Sequence, residues 1–257
     1  MELLSKVNFR FVLNGPATGG RDMILYRVEQ VARTVAIACS FIFLFAIVAL
    51  AQDRRAQDPR QNAPGQFDFY VLALSWSPSF CEDSAELAPN RAPDQQCGGR
   101  PFSFVVHGLW PQYEQGFPAF CQVPAPRLDR NIVGQMLDLM PSSRLIFHEW
   151  DRHGTCSGLS ATAYFENVRK ARAMLKIPAD YLELDNPIMV SADEVADAFV
   201  KTNPGLSRAS IAVACDSKRL SEVRVCLKKD FGFHDCAEVT RRACKRDRIA
   251  MPAVRGG

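Results

Sequence analysis

The stretch "HEWDRHGTC", residues 148 to 156, crowds His148, Glu149, Arg152 and His153 into six consecutive positions. Spacing excludes a zinc-protease helix. Such a helix needs H-E-x-x-H, so that histidines at i and i+4 share a face and close on one metal. His148 and His153 are five apart, about 140° round an ideal helix, and no metal site is expected of them. Helical geometry instead gathers the reactive groups on one arc. With His148 at zero, Arg152 falls at roughly 40°, Glu149 at roughly 100° and His153 at roughly 140°. Trp150 points the other way, free to anchor the helix in a core. Glu149 and His153, one turn apart, are expected to couple, the carboxylate raising the imidazole's pKa and fixing its orientation. Two imidazoles, a carboxylate and a permanent cation suit proton transfer on an anion, and a phosphodiester above all. The competing reading is a solvated, ion-paired helix face.

A third histidine decides between them. His107 sits where the apolar run "FSFVV" meets "HGLWP", beside Gly108 and three residues before Trp110. Alone, it would read equally well as a structural histidine next to a core tryptophan. Taken with the helix face, it completes what phosphodiester cleavage requires: one group to take a proton from the nucleophile, another to give one to the leaving oxygen. Trp110 adds a ring on which a base would stack. The remaining candidates are weaker. His234 in "FGFHDC" reads as structural or surface, and Trp76 and the methionines of "MLDLM" as core.

These side chains need a scaffold. "FDFYVLALSWSP", from Phe67, reads as a buried strand ended by Pro78, and "FSFVVHGLWPQ", from Phe102, as a second strand breaking at Gly108. The polar, Pro- and Gly-rich "EDSAELAPNRAPDQQCGG" between them reads as a loop. Helical spacing runs through "RLDRNIVGQMLDLMP", "RLIFHEWDRHGTC" and "SATAYFENVRKARAMLKI", the last with Ser160 as N-cap. Ser191 and Glu194 form a capping box for "SADEVADAFVKTNPG". "SIAVAC" and "SEVRVCL" read as a closing pair of strands. Helices and strands mix without regular βαβ alternation, so the expected class is α+β, in one domain without internal repeats.

The N-terminus speaks of destination. Val35 to Ala51 is an uncharged apolar run preceded by Arg21, Arg27 and Arg33, and it ends in Ala49-Leu50-Ala51, a small-x-small cleavage pattern. A cleaved signal peptide over residues 1–51 is expected, with an uncleaved anchor as the alternative and Met23 as a second candidate start. Residues 52–66 read as a flexible linker and 67–257 as the catalytic domain, in a secreted or periplasmic protein. Outside the leader, which holds Cys39, stand eight cysteines, an even set consistent with four bridges and an oxidising compartment. No pair forms C-x-x-C, so neither a zinc ribbon nor a thioredoxin-like motif is indicated. Loss of the leader removes five basic and three acidic residues, lowering the formal charge from +3 to +1. Bulk charge therefore does not make this a general polyanion binder. The basic run "RRACKRDR", residues 241 to 248, is the exception. Such a run is most often a solvated face, with a role in attracting polyanions as the alternative.

"FVVHGLWPQ" and "FHEWDRHGTC", in this order, closely resemble the two active-site segments of the ribonuclease T2 family, and "FDFYVLALSWSPSFC" its N-terminal strand. The resemblance covers roughly residues 67 to 244. It implies a central antiparallel sheet with flanking helices and a metal-free, cofactor-free endoribonuclease acting on RNA and not on DNA. Single-stranded RNA would be cut by transphosphorylation to a 2′,3′-cyclic phosphate, then hydrolysed to a 3′-phosphate. His107 matches the general acid, His153 the general base and Glu149 the catalytic glutamate. His148 matches the histidine that contacts the phosphate, protonated in this reading, and Trp110 the tryptophan that stacks on a base. The family usually has lysine where this chain has Arg152, which keeps the charge in a planar fork. Gln112 stands near the base site where some relatives are acidic, so base preference does not carry over. The family pattern also implies the pairs Cys81–Cys97, Cys121–Cys156, Cys215–Cys244 and Cys226–Cys236, and a monomer with no lasting membrane partner. The main rival is a T2-like domain that has lost activity and serves in binding or signalling, and an assay of RNA cleavage separates the two.

Overall fold

In the computed structural model, residues 60–90, 94–98 and 100–254 are described. The expected signal peptide and Cys39 lie outside them. The elements run β1 (Phe69–Trp76), α1 (Ser77–Leu87), β2 (Phe104–Gln112), α2 (Arg130–Met136), α3 (Ser143–Arg152), α4 (Ala161–Met174), β3 (Ile188–Val190), α5 (Ala192–Thr202), β4 (Ile211–Cys215), β5 (Leu220–Leu227), α6 (Ala237–Arg241) and β6 (Ile249–Met251). The class is α+β. An antiparallel sheet in the order β2-β1-β5-β4 forms the centre, and β3 pairs with β6 in a small second sheet.

Strand alternation divides the central sheet into two faces. From β1, Tyr70, Leu72, Leu74 and Trp76 enter the main core, and Phe69 and Val71 enter a separate small cluster on the other side. The main core is closed by helices: α4 lies on β1 and β2, α5 on β4, and α2 packs against both α3 and α4. Tyr164 of α4 donates its hydroxyl to the Leu109 carbonyl at 2.9 Å, tying helix to sheet. Trp76, Met136 and Met140 are core residues, as their sequence context indicates. The serine caps also form: Ser160 accepts from the Ala163 amide, and Ser191 and Glu194 close a complete capping box.

Three expectations need correction. β2 does not break at Gly108. It pairs with β1 as far as Gln112, but the register slips: Ala73 faces Gly108 and Leu74 faces Val106, leaving His107 as the extra residue of a β-bulge. Such a bulge re-aims one side chain without ending the strand. The loop expected after Pro78 begins instead as α1, with Pro78 in the first helical turn, where its missing N–H would have no intrahelical partner anyway. Finally, the described part of the expected linker is attached to the domain. Arg60 pairs with Asp68 at 2.6 Å, and the Gly65 amide donates to the Cys156 carbonyl at 2.9 Å.

Four disulfides join Cys81 to Cys97, Cys121 to Cys156, Cys215 to Cys244 and Cys226 to Cys236. These are the pairs the family resemblance implies.

Candidate active site

α3 presents the second active-site segment. Ile146 and Trp150, one turn apart, are buried, and the Trp150 indole donates to the Pro126 carbonyl at 2.7 Å. Burying these two side chains is worth on the order of 1.5–3 kcal/mol each. The helix is thus fixed in rotation, which aims Glu149 at the sheet and leaves His148 exposed at the mouth of a cleft. The helix ends at Arg152. His153 is its C-cap, at φ −117°, and a 3-10 turn, Gly154–Ser157, follows.

The cleft, about 300 Å³, brings all six sequence-predicted residues together: His107, Trp110, His148, Glu149, Arg152 and His153. Phe117, Gln112, Arg224, Glu238 and Arg242 also line it. A second hollow of about 360 Å³ opens on the other side of His107 and His148, between Phe80, Asp94, Gln96 and Ser142.

Glu149 is almost fully buried, at 1% exposure. One carboxylate oxygen accepts from the Trp110 indole at 2.7 Å, and the other lies 3.6 Å from His107 Nε2. This close approach needs Gly108. A Cβ there would stand 2.0 Å from the Glu149 carboxylate and 2.4 Å from the Trp110 indole nitrogen. Burial lifts the Glu149 pKa to about 7, against the opposing pull of His107 and of the indole hydrogen bond.

The other nitrogen of His107, Nδ1, meets Glu222 of β5, a residue the sequence reading did not single out. Glu222 is in turn held by Arg224, whose Nε donates to it at 2.9 Å. On this face of the sheet β5 offers Glu222 and Arg224 opposite Ser75 and Ala73 of β1. Those small side chains leave room for His107, pushed out by its bulge, to reach over β1. Burial pulls the His107 pKa down, but the hydrogen bond and charge of Glu222, helped by Glu149, outweigh it, and the net shift is upward. For Glu222 burial likewise opposes the outcome. Its bond to His107 and the charges of His107 and Arg224 carry the carboxyl down to about 2.

His153 has the opposite surroundings. It is 5% exposed, and its Nδ1 has no hydrogen-bond partner among the described residues. Burial first, then the positive charge of Arg152, moves its pKa down to about 3. The expected coupling of Glu149 to His153 is therefore wrong. The helix stops one residue short of His153, and the Glu149 carboxylate is turned to Trp110 and His107. His148 is also shifted down, by burial and then by the positive charge of Arg152, a direction opposite to the expected stabilisation of its protonated form. Arg152 pairs with no carboxylate among the described residues and lies over the Phe120 ring at 5.4 Å. Trp110 neighbours both histidines, its ring centre 5.2 Å from that of His107 and 5.4 Å from that of His153. His234 is apart from this group, packed on Phe69 and 3.1 Å from the Glu114 carboxylate.

The family model for the ribonuclease T2 family matches residues 67–236. A probable ribonuclease of Haemophilus influenzae is 34% identical over 185 residues, 68% of this chain and 63% of that protein. A ribonuclease of Aeromonas hydrophila is 48% identical over 96 residues, covering 37% of this chain and 40% of its own length. The chain thus spans less than two thirds of either relative. Among solved structures, that of RNase NT in complex with 5′-AMP aligns with a TM-score of 0.57 at 25% identity, over 73% of this chain and 99% of that one. The match covers both histidine segments, with the strand β2 and the helix α3 that carry them, and on it this chain belongs to the ribonuclease T2 family.

Proposed function

We propose that this chain is a metal-free endoribonuclease that cleaves single-stranded RNA through a 2′,3′-cyclic phosphate. The observation that carries the reading is the contrast between two imidazoles in one cleft. His107 is wedged between two carboxylates, and its pKa is shifted up, while His153 is buried without one, and its pKa is shifted down. Environments that push two such groups apart assign acid and base. In this reading neutral His153 takes the proton from the ribose 2′-OH, and the freed oxygen attacks phosphorus. Protonated His107 gives its proton to the leaving 5′-oxygen, and the cyclic phosphate forms. Hydrolysis runs the roles in reverse, with water in place of the 5′-oxygen, and yields a 3′-phosphate.

Arg152, which pairs with no carboxylate among the described residues, supplies the positive charge for the phosphoryl oxygens, and His148 at the cleft mouth adds a hydrogen bond to them. Glu149 fixes the indole of Trp110 and, with Glu222, sets the protonation of His107. Trp110 and the exposed Phe117 give the base its aromatic surface. The protein works as a monomer in an oxidising compartment, periplasmic or extracellular, and its four disulfides support that placement. No helix among the described residues is long and apolar enough to cross a membrane.

Digestion of the four homopolymer RNAs in EDTA, with the product ends identified, tests the proposal. Cyclic ends should appear first and 3′-phosphates later, with single-stranded DNA left intact for want of a 2′-OH. DNA cleavage, or activity that returns only with added metal, overturns it.

A further inference from the structure

The basic run near the C-terminus has no part in the chemistry above, yet its position is not arbitrary. Arg242, which lines the active-site cleft, also lines a neighbouring groove of about 710 Å³, as does Arg224. The groove continues past them along Ser217, Ser221, Lys245 and Arg246. Arg224 is occupied by Glu222, and Arg242 by Glu238. Lys245 and Arg246 are exposed and pair with no carboxylate among the described residues, although Asp216 shares the groove with them. Their backbone is held in place. Cys244 is bridged to Cys215 at the end of β4, and its amide donates to the Val213 carbonyl at 2.7 Å.

We infer that this groove is a phosphate-binding track for the RNA strand beyond the cleavage site, with Lys245 and Arg246 contacting backbone phosphates. The inference rests on the ribonuclease reading, which already places a phosphodiester between His107 and His153. A strand held there leaves the cleft over Arg224 and Arg242 and enters the groove. Its ligand is a single-stranded polyanion, recognised by charge and not by base. The hollow on the far side of His107 accommodates the strand in the other direction. Short substrates would not reach the track, whereas longer ones would gain affinity from it in a salt-dependent way.

The test compares parent protein with Lys245→Ala/Arg246→Ala, using a fluorescent 2′-O-methyl 12-nucleotide RNA as a binding probe that cannot be cleaved through its 2′ position. Each lost contact to a single strand should reduce the slope of log Kd against log salt by about 0.7. Two contacts therefore lower it by about 1.4, and between 50 and 200 mM salt the parent loses about sevenfold more affinity than the variant. The deficit should be absent from cleavage of a dinucleotide. Both side chains are exposed, so an unchanged melting temperature is expected and confirms an intact fold. Equal salt slopes for the two proteins overturn the track, as does an equal deficit on the dinucleotide. Failure of both proteins to cleave any RNA while the slopes still differ refutes the ribonuclease reading and leaves the track standing.

Discussion

Replacing Glu222 by glutamine removes one negative charge and little else, because the amide keeps the size and one acceptor oxygen. His107 then loses the carboxylate on Nδ1, and Arg224, no longer neutralised, faces it as a bare cation. Glu149 still faces its Nε2, and His148 and His153 remain as before. An opposite charge at such range shifts a pKa by about 1–3 units, and the one-third exposure of the imidazole argues for the lower part of that range. A fall of about 1–2 units in the His107 pKa is expected, on the order of 1.4–2.7 kcal/mol. The proposed acid must carry its proton, so the alkaline limb of kcat/KM should move to lower pH by the same amount. At pH values well below the variant's own limb, where both proteins keep His107 protonated, the rates should nearly coincide. Stability gives a second readout. His107, raised in the fold, contributes fully below its ordinary pKa of 6.5 and loses that contribution as pH rises through the folded value. Glu222, depressed to about 2, contributes above its ordinary 4.5 and loses that as pH falls. Glu222→Gln should therefore destabilise most between these two ordinary values, and less both as pH falls towards 2 and as it rises past the folded pKa of His107. NMR titration of His107 reads the shift directly. A limb that stays in place while the rate falls equally at every pH refutes the reasoning and leaves Glu222 a purely structural residue.

His107→Ala and His153→Ala should each lower kcat by at least ~10², with His234→Ala nearly silent. Steady-state kinetics check this, and an equal loss for His234→Ala would unseat the assignment. Gly108→Ala places a methyl within 2.0 Å of the Glu149 carboxylate, so kcat should fall at least tenfold and the melting temperature should drop. Unchanged values in calorimetry and assay would show that the contact gives way freely. Arg152→Lys keeps the charge and should stay within about tenfold of the parent, while Arg152→Ala should lose clearly more. Identical rates for the three proteins would remove Arg152 from the reaction.

Much of the site was legible because a helix face can be computed from spacing. Glu149 and Trp150 lie where the wheel puts them, and the caps at Ser160, Ser191 and Glu194 follow directly from residue type. The wheel failed at His153 because it presumes that the helix continues, whereas this one ends at Arg152. The bulge at His107 is a matter of strand register, which depends on the partner strand and leaves no local mark. Glu222 and Arg224 were hidden for a related reason. Charged residues two apart in "LSEVRVCL" look like the solvent side of an ordinary strand, and only the order β2-β1-β5 brings that side to His107. Their one signal was an acid–base pair alternating with buried valines on a strand near the end of the chain. α1 was misread because Pro78 was taken to stop a strand, although proline suits the first turn of a helix equally well.

The Cys121–Cys156 bridge ties the segment after β2 to the turn that closes α3, beside Phe120, whose ring carries the Arg152 guanidinium and whose amide donates to the Arg152 carbonyl at 2.9 Å. A ribonuclease, as proposed for this chain, is a hazard to the cell that makes it, because that cell's own RNA carries the same phosphodiesters. In a compartment where thiols stay reduced, a newly made copy would have to hold Arg152 and His153 without that tie, and without the three other bridges. On the proposed reading, the oxidation that completes the fold would then also arm the ribonuclease, and a redox gradient between compartments would act as its safety catch.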